Sequence, residues 1–188
     1  MTHLDRRTAL VALAATVLAP AAPAADWPGD SLYRIAPRLV DQDGRAFGLA
    51  DLAGGPVLVS MFYSGCEMVC PLIFETVALA RNVLPAGRRE RVRVLMVSFD
   101  SERDTVAQLK RTAEAHHCDA GWTLARAAAP DVRLVAAALG IQYRRLPSGA
   151  FNHSSDIVLL DGLGRITARS ARLGEVEPAL ATALARLA

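Results

Sequence analysis

Lysine is almost missing from this 188-residue chain: of 21 basic residues only Lys110 is lysine, and the rest are arginines. The arginines are scattered, so the bias reflects genome composition rather than a binding chemistry. No run of like charge is longer than the pair Arg88-Arg89, and 19 acidic residues leave a net charge of only +2. That balance argues against a disordered tail and against a dedicated nucleic-acid surface. Cysteine is scarce as well, and three are too few to staple a miniature fold with disulfides. Internal repeats and low-complexity stretches are absent. What is present is a 52% hydrophobic composition in a length that suits one domain with a substantial core.

Residues 1–24 have the three parts of a signal peptide. Arg6 and Arg7 form the positive start, Ala9 to Ala19 is an apolar run, and Ala22-Pro23-Ala24 offers a small-x-small cleavage site. The mature chain is expected to be residues 25–188, exported to the periplasm and soluble after cleavage. The paired arginines leave the Sec and twin-arginine routes both open. A retained membrane anchor is the alternative, but the apolar run falls short of the ~20 residues a spanning helix needs. No cysteine follows that run until Cys66, which excludes a lipid-modified N-terminus. In an oxidising periplasm, cysteines are paired, metal-bound or redox-active.

Along the mature chain, Asp43-Gly44 between Leu39-Val40 and Phe47-Gly48-Leu49 predicts a small hairpin. Pro56 to Tyr63 (PVLVSMFY) is continuously apolar between glycines, as a strand buried on both faces should be. Pro71 to Leu84 reads as a helix, Arg91 to Phe99 as a second strand, and Asp104 to His117 and Pro130 to Leu139 as further helices. Asp156 to Leu160 and Arg165 to Arg169 flank Asp161-Gly162-Leu163-Gly164 as a hairpin, and Gly174 to Ala188 closes the chain as a helix. The expected fold is α/β: a mixed central sheet with helices on both faces and an N-terminal β-hairpin.

The chemistry concentrates at Ser64-Gly65-Cys66-Glu67-Met68-Val69-Cys70-Pro71, in the turn from the first core strand into its helix. Amide groups at a helix start favour a thiolate over a thiol. Cys66 and Cys70 are spaced C-x-x-x-C, one residue wider than the oxidoreductase C-x-x-C. They can form a disulfide or hold a soft metal. A structural zinc site wants four ligands and an iron-sulfur centre about four cysteines, whereas copper accepts a trigonal Cys2His set. Of the histidines, His3 leaves with the leader. His116 and His117 sit at a helix end beside Cys118, where they complement the helix dipole, and His153 lies on the loop feeding the last hairpin. Spacing alone leaves His153 as a solvated loop residue. Met68 reads as packing, Trp122 as core, and Cys118 as a buried thiol.

Phe62-Tyr63-Ser64-Gly65-Cys66 through Cys70-Pro71 resembles the Y-[TS]-x-C-x-x-x-C-P signature of the Sco/SenC family, thioredoxin-fold copper proteins that serve cytochrome c oxidase assembly. Val97 to Thr105 (VSFDSERDT) is similar to that family's V-S-x-D-P-x-R-D-T segment, and Gly140 to Tyr143 with Asn152-His153-Ser154 resembles its D-H-[ST] region. The similarity runs from Asp41 to Arg165. It implies a thioredoxin-like fold, with Cys66, Cys70 and His153 as the ligands of copper, Cu(I) or Cu(II). Asp100 and Asp104 fall on the family's acidic loop, where helix capping by Asp104 is preferred to a role at the site or with a partner. Glu67, Ser101 and Asn152 stand where the family usually has proline, proline and aspartate.

The resemblance implies a copper chaperone that delivers to the binuclear copper site of cytochrome c oxidase subunit II or a similar copper-receiving protein. Such a chain is a monomer, meets the membrane only through its client, and has no business with nucleic acid. The alternative is enzymatic: a thiol-disulfide reductase in which Cys66 and Cys70 keep the client's cysteines reduced. Peroxide reduction is disfavoured, since no T-x-x-C precedes Cys66. The leader reading predicts Ala25 as the first residue of the exported protein by mass spectrometry. Met1 or Thr2 retained in a membrane fraction contradicts it.

Overall fold

In the computed structural model, which describes residues 26–188, a carboxylate turns the chain between the first two strands. Asp41 Oδ1 accepts from the amides of Asp43 (2.9 Å) and Arg45 (2.8 Å), and Gly44 takes a φ of +82° there. This joins β1 (Leu39–Asp41) to β2 (Ala46–Phe47) as the expected hairpin. The proposed leader, His3 and the cleavage point lie outside the described residues. Next come β3 (Val57–Phe62), α1 (Val69–Asn82), the single turn α2 (Ala86–Arg89), β4 (Arg93–Ser98) and α3 (Val106–Ala115). They are followed by β5 (Trp122–Ala127), α4 (Ala129–Leu139), β6 (Tyr143–Arg145), β7 (Phe151–His153), β8 (Ile157–Leu160), β9 (Ile166–Ser170) and α5 (Pro178–Leu187).

The sheet has the order β2-β1-β5-β4-β3-β8-β9 and is mixed. β3, β4 and β5 run parallel, while β8 pairs antiparallel with β3 and β1 antiparallel with β5. Every residue of β3 is buried, although its side chains alternate between faces, so both faces of the sheet are covered. The parallel crossovers from β3 through α1 to β4 and from β4 through α3 to β5 step in one direction, and right-handed connections then put α1 and α3 on one face. Phe74 of α1 accordingly stacks on His116 at the end of α3, with ring centroids 4.0 Å apart.

The register of β8 on β3 positions the site. Val57 faces Leu160 and Val59 faces Val158, so β8 begins beside the C-terminal end of β3, where Ser60 Oγ donates to the Asp156 carbonyl (2.8 Å). Chain leaving β3 toward Cys66 and chain arriving from His153 therefore meet at one end of the sheet. In open α/β sheets the carboxyl ends of parallel strands are where ligands sit.

Four elements stand out against the sequence expectation. β5 is a central strand around Trp122 that a pattern reading leaves as unassigned core; its residues Trp122-Thr123-Leu124-Ala125-Arg126-Ala127 show no clean alternation. Between α4 and β8 the chain forms a separate two-stranded ribbon, β6 with β7, too short and too polar for period-2 alternation to register. His153 is thus the last residue of a strand and not a loop residue. Helix α1 starts at Val69, two residues before Pro71, which is tolerated because first-turn amides have no intrahelical acceptor. Its buried stripe is Ile73, Phe74, Val77 and Ala80, and Leu72 and Leu79 face solvent.

Leu95, on the central strand β4, has no exposed surface. Leu95→Ala is expected to cost about 2–5 kcal/mol, the range for truncating a buried leucine. Urea unfolding would show this as a lower midpoint at unchanged slope.

Candidate metal centre

Cys66, Cys70 and His153 converge. Their sulfurs and a ring nitrogen of His153 all lie within 4.8 Å of one another, and Cys70 Sγ stands 3.8 Å from His153 Nε2. Ligands about 2.3 Å from an ion at the centre of a trigonal set stand about 4 Å apart, so the two sulfurs and one nitrogen suit a single soft ion. His116, His117 and Cys118 do not join them, as expected from the sequence: they belong to the far end of α3, where His116 packs on Phe74. Cys118 is half-buried rather than buried, and burial, aided by Asp119, pushes its thiol up to about 12.

The two sulfurs are chemically unequal. Cys70 sits in the first turn of α1 with 2% of its surface exposed, and burial drives its pKa far above the ordinary thiol value, with the neighbouring Cys66 adding to the rise. Burial also opposes ionisation of Cys66. There, however, the Cys70 thiol and the amides of Cys70, Met68 and Val69 direct hydrogen bonds at the sulfur and hold its pKa below the ordinary value. The Cys70 amide donates to Cys66 Sγ at 3.2 Å. This is the helix-start effect in particular bonds.

His153 is oriented by backbone. Its Nδ1 lies 2.9 Å from the Ser154 carbonyl, and a carbonyl can only accept, so the proton is on Nδ1. In the neutral ring Nε2 then carries the lone pair and faces the sulfurs, the tautomer a metal requires. The ring is packed by Phe99 at 4.9 Å and Tyr63 at 6.2 Å between centroids. Asn152, where the family usually has aspartate, is exposed at the rim of the cleft beside Cys66, and the Ser154 carbonyl holds the ring.

Two sequence expectations are corrected here. Asp104 does not cap α3: Thr105 does, its hydroxyl accepting from the Gln108 amide (3.2 Å). Asp104 is fully buried, and its carboxylate accepts from the Ser64 amide (3.1 Å) and from the hydroxyls of Ser64 and Ser98. It thereby ties the cysteine turn to the end of β4. The sequence motif contained Ser64 but carried no signal that Asp104 would bind it across 40 residues. Met68 is 80% exposed, and with Val69 and Leu72 it forms an apolar rim beside the cysteines. Asp100 is buried too, accepting from the Arg103 amide (3.2 Å) and pairing with the Arg103 guanidinium.

Comparison with known proteins places this geometry. A family model described as SCO1/SenC matches residues 30–188. A putative copper-binding protein of Stutzerimonas stutzeri is 31% identical over 72 residues, which cover 38% of this chain and 35% of that protein. The chain thus matches about a third of the length of that curated relative. Among solved structures, copper-bound ScoI of Bradyrhizobium japonicum superposes with a TM-score of 0.70 at 23% identity, covering 82% of this chain and 98% of that one. A SCO1/SenC family lipoprotein of Bacillus anthracis str. Ames gives 0.73 at 20% identity, covering 87% and 96%. These likenesses show the thioredoxin-like Sco fold.

The unequal thiols predict unequal reactivity. In the reduced protein at neutral pH, iodoacetamide should label Cys66 well before Cys70 and Cys118, read by peptide mass spectrometry over time. After oxidation without metal, the link recovered should join Cys66 to Cys70. A dominant link to Cys118 contradicts the assignment.

Proposed function

Because the chain belongs to the SCO1/SenC family, we propose that it is an exported copper chaperone. It binds copper through Cys66, Cys70 and His153 and passes it to cytochrome c oxidase subunit II or a similar copper-receiving protein. The observation that carries this reading is the position of His153. With Nδ1 turned to the Ser154 carbonyl, Nε2 is aimed at the two sulfurs, an arrangement that metal binding requires and disulfide exchange does not. Copper is cargo here. Soft thiolates suit Cu(I), and three ligands leave it open to attack by an incoming thiolate of the acceptor. The half-buried Cys66 and the exposed Met68, Val69 and Leu72 supply an accessible, apolar edge for that encounter. Among the described residues no helix is long and apolar enough to cross a membrane.

A second reading rests on the inequality of the thiols. As a reductase, Cys66 attacks a client disulfide; its sulfur bonds to one client sulfur and the other leaves as a thiolate. Cys70 then loses its proton to solvent and attacks Cys66. The client is released with two reduced thiols while Cys66 and Cys70 end as a disulfide.

His153→Ala separates the two. Titrated with Cu(I) against a competing chelator, this variant should lose at least about 10- to 100-fold in affinity, the loss seen when merely a ligand's supporting partner is removed. His116→Ala and His117→Ala should bind as wild type, and formation of the Cys66–Cys70 disulfide should be unchanged throughout. Equal copper affinity in wild type and His153→Ala would favour the reductase.

A further inference from the structure

His153 is carried on a ribbon that the main sheet does not hold. Among the described residues β6 and β7 pair only with each other, and a lone two-stranded hairpin is marginal in water. The Ser154 amide donating to the Gln142 carbonyl (2.9 Å) closes the base of the ribbon, and aromatic packing seats the ribbon on the body, Phe99 on Tyr143 at 4.8 Å and Tyr63 on Phe151 at 5.2 Å. Its turn, Leu146 to Ala150, closes on itself through two backbone bonds, Leu146 N to Ala150 O (2.8 Å) and Gly149 N to Leu146 O (2.9 Å). Among the described residues one hydrogen bond reaches that turn from outside: the Arg103 guanidinium donates to the Gly149 carbonyl.

Arg103 is itself aimed. Its Nε binds the buried carboxylate of Asp100, which leaves the other edge of the guanidinium free for Gly149. Gly149 accommodates this approach with a φ of +83°, and a Cβ there would stand 3.4 Å from Arg103 Nη1. A second link, Glu102 to Arg145 on β6 (3.0 Å), joins two well-exposed side chains, the type of ion pair that contributes little. The segment carrying Arg103 also carries Asp104, which binds Ser64 two residues before Cys66. One short stretch between β4 and α3 therefore grips the cysteine turn with one residue and the histidine ribbon with its neighbour.

We propose that Arg103 is a positioning residue for the metal centre, latching the β6–β7 turn so that His153 stays over Cys66 and Cys70. The inference rests on the three-ligand reading above. Without the latch the turn end of the ribbon is held by aromatic packing and one exposed ion pair alone, and the imidazole spends less of its time within reach of an ion held by the sulfurs. The cysteine half of the site is untouched, because Asp104 and not Arg103 holds it.

The test compares full-length Arg103→Ala and Glu102→Gln with wild type. It reads Cu(I) affinity by chelator competition, amide hydrogen exchange over residues 143–153, and nitrogen hyperfine structure in the EPR spectrum of the Cu(II)-loaded protein. The last reports imidazole on the metal, which a general loss of stability would not alter in the folded fraction. For Arg103→Ala, affinity should fall about 10- to 100-fold, as for loss of a ligand's outer partner. Exchange should quicken over 143–153 but not in β3 or β4, and the nitrogen signal should weaken. Glu102→Gln should stay within about fivefold of wild type, the worth of an exposed pair. Wild-type affinity, exchange and nitrogen signal in Arg103→Ala would overturn the latch while leaving the ligand set intact. If His153→Ala itself binds copper as wild type does, the ligand reading fails instead. Exchange over 143–153 then decides alone whether Arg103 holds the ribbon.

Discussion

The register of β8 against β3 is the constraint on which the site depends. Two thiols four residues apart can be delivered by one turn, but a third ligand 83 positions further along must be brought back by the fold. Antiparallel pairing of Val57 with Leu160 and Val59 with Val158 does this, because it starts β8 at the end of the sheet where β3 finishes. Both strands are buried along their whole length, so a one-residue slip would reverse the face of every side chain in β8 and break the core. The Ser60 hydroxyl on the Asp156 carbonyl secures the same register at its open end. Hydrophobic burial at the centre thus sets the spacing of polar ligands at the edge.

Around that geometry the chain makes three potential ligands chemically different. Cys70 is shielded and hard to ionise alone, Cys66 is half-exposed and more easily ionised, and His153 is oriented by a backbone acceptor at Nδ1 so that Nε2 faces the sulfurs. A cation arriving between them would favour ionisation of both sulfurs, and metal binding would then release protons, the usual coupling at thiolate sites. Without metal the same inequality suits thiol exchange, in which a reactive sulfur faces the partner and a protected one resolves the intermediate. The chaperone and reductase chemistries thus share one pair of sulfurs and part at the imidazole.

Much of this was legible beforehand. The apolar run Pro56 to Tyr63, the turn at Asp43-Gly44 and the C-x-x-x-C at a helix start each follow from local pattern, and local pattern decides them. The family resemblance joined His153 to the cysteines, which spacing could not do. What escaped was long-range or short in length. Trp122 to Ala127 lacks alternation because neighbours on both sides, not its own periodicity, make it a strand. Three-residue strands such as Tyr143–Arg145 carry too few positions to show a period. Asp104 looked like a cap because it precedes a helix, and only the fold shows its carboxylate turned inward to Ser64 and Ser98. Met68 looked like packing because methionine generally is, yet here it is left on the rim of the site.

X-ray absorption at the copper edge of the Cu(I)-loaded, reduced protein tests the central claim most directly. Two sulfur neighbours and one imidazole nitrogen per copper are predicted, with the nitrogen lost in His153→Ala and the sulfurs retained. A third sulfur, from Cys118 or a second molecule, or a spectrum without nitrogen in the wild-type protein, would contradict the ligand set and with it the account of the fold as a device for bringing His153 to Cys66 and Cys70.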